Sequence, residues 1–232
     1  MTSLSSIDWN TVYEGLNSKG YFIIPQALST HECLNISGSY NKELLYRNTI
    51  NMQRYRFGQG EYKYFSYPLP AVIQSIREAF YPPLSFLANA WMEKLGTNIS
   101  YPKSHNQLIA QCEANSQTRP TPLILKYEPG GYNTLHQDLY GDIFFPFQVL
   151  IVLSQGGEDY KGGEFVLTTQ IPRAQSKAEV LQPRQGDAVI FTTNFRPVKG
   201  SRGFYKATMK HGISEVKDGV RYALGIIFHD AA

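Results

Sequence analysis

Residues 121–138, TPLILKYEPGGYNTLHQD, hold an apolar strand, a Gly-rich turn and an H-x-D pair in direct succession. In LILKY, Leu123, Leu125 and Tyr127 share one face and Lys126 takes the other, the period of two expected of a half-buried strand. EPGG then turns the chain. His136 and Asp138 follow as an i, i+2 pair, so an extended segment projects both side chains to one face. The same pattern repeats beyond residue 118. FPFQVLIVLS (145–154), GEFVLTT (163–169), AEVLQP (178–183), DAVIFTT (187–193), FYKATMKHGIS (204–214) and VRYALGIIF (220–228) read as strands. SQGGEDYKGG, RQGD and KDG read as turns between them. Short strands in series, with no helical period between them, predict a jelly roll, that is, a double-stranded β-helix.

The late strands carry further polar residues at informative positions. His211 shares its face with Tyr205, Ala207 and Met209, while Lys206, Thr208 and Lys210 take the opposite face. The imidazole therefore points inward. Arg221 shares parity with Ala223, Gly225 and Ile227, a face of small and apolar residues without an acid. A buried arginine is costly unless paired, and a ligand carboxylate held bidentately would pair it. Two imidazoles and one carboxylate, His136, Asp138 and His211, form a complete ligand set for non-haem Fe(II) that leaves coordination positions open. Singly, a histidine in a strand is more often a packed residue than a ligand. His31 and His105 fall at helix starts, and His229 ends the last strand as a packed or surface residue. Asp142 is the alternative carboxylate, and its setting in YGD reads as a turn.

Residues 1–118 read as a mainly helical support region and 119–232 as the barrel, together one domain. IDWNTVYEGLNSKG has Asp8 as N-cap, a face of Trp9, Val12, Tyr13 and Leu16, and Gly20 to close the helix. YFIIP is a short strand. Ser29 and Glu32 stand at capping-box spacing. LPAVIQSIREAF is helical, with Tyr81-Pro-Pro expected to break it before LSFLANAWMEKLG. YRNTINMQRYRFGQGEYKYF (46–65) has no clear period and reads as a long functional loop or hairpin. It mixes Arg47, Arg54, Arg56 and Lys63 with six aromatics. RPVKGSRGFYKATMKH (196–211) is the second basic stretch. Basic rims with aromatic planes suit nucleic acid, although aromatics are equally often core and lysines a solvated face. The net charge of +3 does not decide between these. Cys33 and Cys112 form no C-x-x-C pair, which excludes a zinc ribbon and fits reduced thiols. MTSLSSIDWN lacks the basic and apolar regions of a signal peptide, and no stretch is long enough to span a bilayer, so a cytoplasmic protein is expected.

These stretches also carry a resemblance. GYFIIPQALSTHEC, LKYEPGGYNTLHQD, GGEFVL, QGDAVIF and MKHGISEVKDGVRYALGIIFHDA resemble 2-oxoglutarate- and Fe(II)-dependent dioxygenases across nearly the whole chain. FGQGEYKYFSYPLP and TRPTPLILKYEPGGYNTLHQDLYG are similar to a bacterial family described as an oxygenase acting on damaged DNA. The resemblance implies an α+β, mostly β chain with a double-stranded β-helix and an N-terminal helical layer. It implies His136, Asp138 and His211 as the catalytic Fe(II) ligands and Arg221 as partner of the distal carboxylate of 2-oxoglutarate. Many relatives place Ser or Thr two residues after that arginine, where this chain has Ala223, so the second contact falls to Tyr127. Fe(II), 2-oxoglutarate and O2 are implied, with ascorbate in support. Single-stranded or damaged DNA is the implied partner, and oxidative demethylation of alkylated bases the implied reaction. The Y-x-P-G-G turn at Tyr127 is equally familiar from prolyl-hydroxylase-like enzymes, so hydroxylation of a protein residue, amino acid or small metabolite stands as the alternative. A non-catalytic barrel or cupin-type zinc protein fits less well, because the three ligands coexist with Arg221 and no further histidine lies near H-x-D.

Overall fold

Strand β7 (Phe147–Val152) lies inside the major sheet, and all six of its residues are buried in the computed structural model, which describes residues 7–232. Residues 1–6, the start of the stretch read for a signal peptide, lie outside the described residues. Burial on both faces explains why FQVLIV reads as a nearly continuous apolar run. Phe147, Val149 and Ile151 join the core beneath the helices, whereas Gln148 and Leu150 face the barrel interior.

Around β7 the major sheet runs in the order β1 (Tyr21–Ile24), β11 (Ala188–Thr192), β7, β15 (Arg221–Ile227), β5 (Leu123–Tyr127), β4 (Glu61–Phe65) and β2 (Tyr46–Asn51). The minor sheet runs β10 (Lys177–Leu181), β9 (Phe165–Gln170), β13 (Gly203–Ile213), β6 (Tyr132–His136) and β3 (Gly58–Gln59), with β12 (Phe195–Gly200) also paired to β13. A further ribbon pairs β8 (Tyr160–Gly162) with β14 (Val216–Gly219). Residues of both main sheets face one cavity, as a double-stranded β-helix requires. Helices α1 (Trp9–Lys19), α2 (Thr30–Gly38), α3 (Ala71–Lys94) and α4 (His105–Ala114) contribute to the core on the other face of the major sheet. The fold is thus α+β and mostly β, with the expected helical layer.

Most local expectations hold. Asp8 accepts from the Asn10 N–H, Gly20 closes α1 at φ 82°, and Ser29 with Glu32 forms a capping box. Two differ. The Pro82-Pro83 pair does not break α3, which runs on to Lys94. Prolines at 82 and 83 remove the donors that would meet the carbonyls of Glu78 and Ala79, and those two residues are exposed, where water can satisfy them. The stripe Ile73, Ile76, Phe80, Leu84, Leu87 and Trp91 continues unbroken on the buried side. Second, the segments read as turns at SQGGEDYKGG and KDG include β8 and β14. Residues 46–65 take the hairpin form of the two expected: β2 and β4 pair with each other and β4 adds to β5, extending the major sheet.

Arg77 of α3 locks the last residues of the chain to the helical layer. Its Nε donates to the Ile227 carbonyl (3.0 Å), Nη2 to the Phe228 carbonyl (2.9 Å) and Asp230 Oδ1 (2.6 Å), and Nη1 to Tyr67 Oη (2.9 Å). Both charged side chains are essentially inaccessible to solvent. Removing one partner of such a pair strands the other. Asp230→Ala is therefore expected to destabilise the fold by about 3–5 kcal/mol in urea denaturation. A loss below about 1 kcal/mol would show that the guanidinium is adequately held by its carbonyl partners alone.

Candidate metal centre

Strand pairing assembles the cluster. In the β13–β6 ladder, His211 lies directly opposite His136, and their ring centroids are 4.2 Å apart. Two residues on, the chain leaves β6 and delivers Asp138. Gln137 pins that exit by donating to the carbonyls of Asn194 (2.8 Å) and Met209 (2.9 Å). His136 Nε2 lies 3.5 Å from Asp138 Oδ1, and His211 Nε2 lies 3.3 Å from Asp138 Oδ2. One ligand atom from each of the three falls within 4.8 Å of the others.

Hydrogen bonding fixes the orientation of these groups. His136 Nδ1 is 2.7 Å from the Thr134 carbonyl, which can only accept, so the proton sits on Nδ1. In the neutral ring this leaves a lone pair on Nε2 facing a carboxylate oxygen, an arrangement that a cation stabilises. Both Asp138 oxygens are already oriented: Tyr140 Oη donates to Oδ1 and Gln148 Nε2 to Oδ2, each at 2.9 Å. Burial alone would raise the Asp138 pKa, but the adjacent His211 and His136 rings and the Gln148 amide outweigh it and hold the carboxyl ionised. Burial, reinforced by His136 and opposed by Asp138, lowers His211 and favours the neutral ring that ligates metals. Phe191 packs on that ring at 4.7 Å.

The cluster opens into a cavity of about 230 Å³ whose walls include Tyr62, Leu123, Leu125 and Leu150, with Tyr127 and Arg221 also in its lining. Arg221 stands opposite Tyr127 in the β15–β5 ladder and is 1 % exposed. Its guanidinium lies over the rings of Tyr127 (5.9 Å) and Tyr160 (5.7 Å). Its Nε and Nη1 have no hydrogen-bond partner among the described residues, and neither does the buried Tyr127 hydroxyl. Gly163, at φ +64°, leaves room for the arginine: a Cβ there would lie 2.9 Å from Arg221 Cδ. The arrangement can bind a cation and, in the same cavity, an anion.

All five residues singled out in the sequence thus line one cavity. Asp142 does not join them; it is exposed in a bend. His229 is fully buried and accepts from the Phe145 N–H, with burial pushing its pKa down to about 4. His31 is exposed on α2, and His105 is buried against the Phe228 carbonyl. Tyr140, Gln148 and Gln137 escaped sequence reasoning. Gln148 carried a signal, as the one polar residue in the apolar run of β7. Tyr140 and Gln137 carried none. Tyr62 and Tyr64 of the 46–65 stretch belong to the interior, with Tyr64 Oη donating to Tyr140 Oη at 3.3 Å. Lysines 206 and 210 point away from the cavity on the outer face of β13, as their parity predicts.

A family profile described as "oxygenase, catalysing oxidative methylation of damaged DNA" matches residues 60–231. An uncharacterised protein of Mycobacterium tuberculosis is 42% identical over 207 residues, covering 89% of this chain and 84% of its own. An oxidoreductase of the 2OG-Fe(II) oxygenase family from Burkholderia pseudomallei superposes with a TM-score of 0.57 at 15% identity, over 98% of this chain and 94% of its own. A prolyl hydroxylase from Trichoplax adhaerens, in complex with a hypoxia-inducible-factor peptide, gives 0.55 at 17%, over 96% and 89%. A Pseudomonas putida prolyl-4-hydroxylase gives 0.53 at 12%, over 96% and 100%. At these identities the structural matches speak to the fold, and the family profile to the kind of enzyme. The chain is an oxidoreductase that belongs to the family described as oxygenases catalysing oxidative methylation of damaged DNA.

Proposed function

We propose that this oxygenase is a 2-oxoglutarate- and Fe(II)-dependent dioxygenase that oxidises the alkyl carbon of alkylated DNA bases, with His136, Asp138 and His211 holding Fe(II) and Arg221 with Tyr127 holding 2-oxoglutarate. One observation carries the assignment of the co-substrate site: a buried, unpaired guanidinium shares a cavity with a two-imidazole, one-carboxylate cluster. A dicarboxylate satisfies both ends of that cavity at once. The donor set suits Fe(II), and its three ligands leave positions for a co-substrate and dioxygen.

Fe(II) bound there supplies the redox chemistry that couples oxidative decarboxylation of 2-oxoglutarate by O2, giving succinate and CO2, to hydroxylation of a substrate C–H bond. The protein's part is placement. Arg221 pairs with the distal carboxylate, a charged hydrogen bond worth about 1.5–3 kcal/mol. The Tyr127 hydroxyl, buried beside it, offers the second donor that Ala223 cannot. Tyr140 and Gln148 hold the Asp138 carboxylate so that its rotamer does not change on metal loading. The apolar walls keep water from the reacting carbon. On an N-methylated base the hydroxymethyl group gives up its O–H proton as the C–N bond breaks; the bonding pair stays on the ring nitrogen, the carbon leaves as formaldehyde, and the base is restored. Ascorbate would support turnover by keeping iron reduced.

The decisive experiment supplies iron, 2-oxoglutarate, ascorbate and O2 together with single-stranded oligonucleotides carrying 1-methyladenine or 3-methylcytosine. Formaldehyde and succinate should appear in equal amounts, on methylated strands only. Succinate release indifferent to any oligonucleotide would defeat the substrate assignment and point to a protein residue, amino acid or small metabolite. His136→Ala and His211→Ala should each abolish 2-oxoglutarate turnover with the circular dichroism spectrum unchanged; full activity in either would remove the ligand assignment. Arg221→Leu should raise KM for 2-oxoglutarate about 10- to 100-fold. Gln148→Leu should weaken Mn(II) binding, followed by calorimetry, by about 10- to 100-fold.

A further inference from the structure

The 46–65 stretch holds six aromatic rings and four cations, and the fold sorts them. Tyr64, Phe65 and Lys63 are buried, Tyr46, Tyr62 and Arg47 partly so, and Lys63 is paired with Glu43 at 2.6 Å. Arg54, Tyr55, Arg56 and Phe57 alone remain exposed, consecutive on the turn between β2 and β3. Tyr55 and Phe57 are 48% and 47% accessible, and their rings stack 5.6 Å apart at 20°. The Arg54 guanidinium lies 5.8 Å from the Tyr55 ring.

This turn is anchored from both sides. Met52 beneath it is fully buried, Asn51 Oδ1 accepts from the Gln53 N–H, and the Phe57 N–H donates to the Met52 carbonyl. The Phe57 carbonyl accepts from both the N–H and the Oγ1 of Thr134, each at 2.9 Å. Gly58, at φ +141°, permits the approach, since a Cβ would lie 2.2 Å from the Tyr132 carbonyl oxygen. Phe57 lines the mouth of the cavity, and Thr134 stands two residues, about 7 Å, before His136. Two near-parallel apolar rings at the surface, held rigidly beside a catalytic mouth and flanked by guanidinium groups, match a base to stack and phosphates to neutralise.

We infer that Arg54-Tyr55-Arg56-Phe57 is a stacking platform for the nucleotide beside the target in a single strand, an inference that rests on the nucleic-acid reading given above. Stacking on the two rings would hold the neighbouring base outside while the target base enters the cavity, and the arginines would track the backbone. The platform would therefore set the requirement for a strand rather than a free base.

The test is fluorescence anisotropy of a labelled, unmodified short single strand against the Mn(II)- and 2-oxoglutarate-loaded protein. Tyr55→Ala with Phe57→Ala should weaken binding at least about tenfold, and Tyr55→Phe should not. Arg54→Ala and Arg56→Ala should each reduce the slope of log affinity against log salt by about 0.7. An abasic version of the same strand should bind the wild type no more tightly than the intact strand binds the double variant. Unchanged binding or unchanged salt slopes in these variants would overturn the platform. So would an acidic aromatic peptide that competes as well as the strand. The two readings fail separately. A double variant that turns over methylated strands with wild-type KM removes the platform and leaves the reaction. A working platform without formaldehyde from methylated strands removes the reaction's substrate and leaves the platform.

Discussion

The register between β13 and β6 is the constraint on which the site depends. Because a strand alternates its side chains, a slip of one residue on β13 would turn the lysine face inward and carry His211 out to solvent. The register is held by the apolar residues Ala207 and Met209, which share the inward face with His211, and by the exposure of Lys206, Thr208 and Lys210 on the other. Hydrophobic burial over several residues thus fixes the position of one imidazole. The same ladder sets His136 opposite, so packing energy spread along a strand is converted into a distance between two ring nitrogens.

The major sheet supplies the complementary half. Its strands β11, β7 and β15 are buried on both faces, by helices on one side and by the cavity on the other, so each polar side chain they turn inward must find a partner there. Gln148 finds Asp138. Arg221 finds two aromatic faces and leaves Nε and Nη1 unfilled. A cost of this size persists where a bound anion removes it in the working state. The contrast between these inward polar groups, one satisfied and one waiting, separates the residue that orients the Asp138 carboxylate from the residue proposed to meet the co-substrate.

Much of this was legible in the sequence because it obeys a period of two. The inward histidine, the inward arginine and the tyrosine opposite it follow from alternation alone, and the barrel follows from short runs between turns. Two kinds of feature were not legible. Pro82-Pro83 reads as a helix breaker, yet the missing donors fall on the solvent side, and the orientation of that side depends on how α3 packs. The 46–65 stretch has no clean period because its side chains serve two sheets and a surface turn: β4 and β2 belong to one sheet and β3 to the other. Tyr140 lies on an irregular segment where no alternation marks a side chain's direction, so its hand on Asp138 emerges only in three dimensions.

Thr134 has a place in this structure that its exposed position disguises. Its N–H and hydroxyl hold the Phe57 carbonyl, and its own carbonyl holds His136 Nδ1. One residue therefore ties the surface turn at Phe57 to a histidine of the cluster. Binding equilibria linked through a shared residue are reciprocal: the factor by which an occupied turn changes affinity at the cluster equals the factor by which an occupied cluster changes affinity at the turn. A single threonine meets the outer turn through its two donors and the His136 ring through its carbonyl, so a change in its placement reaches both.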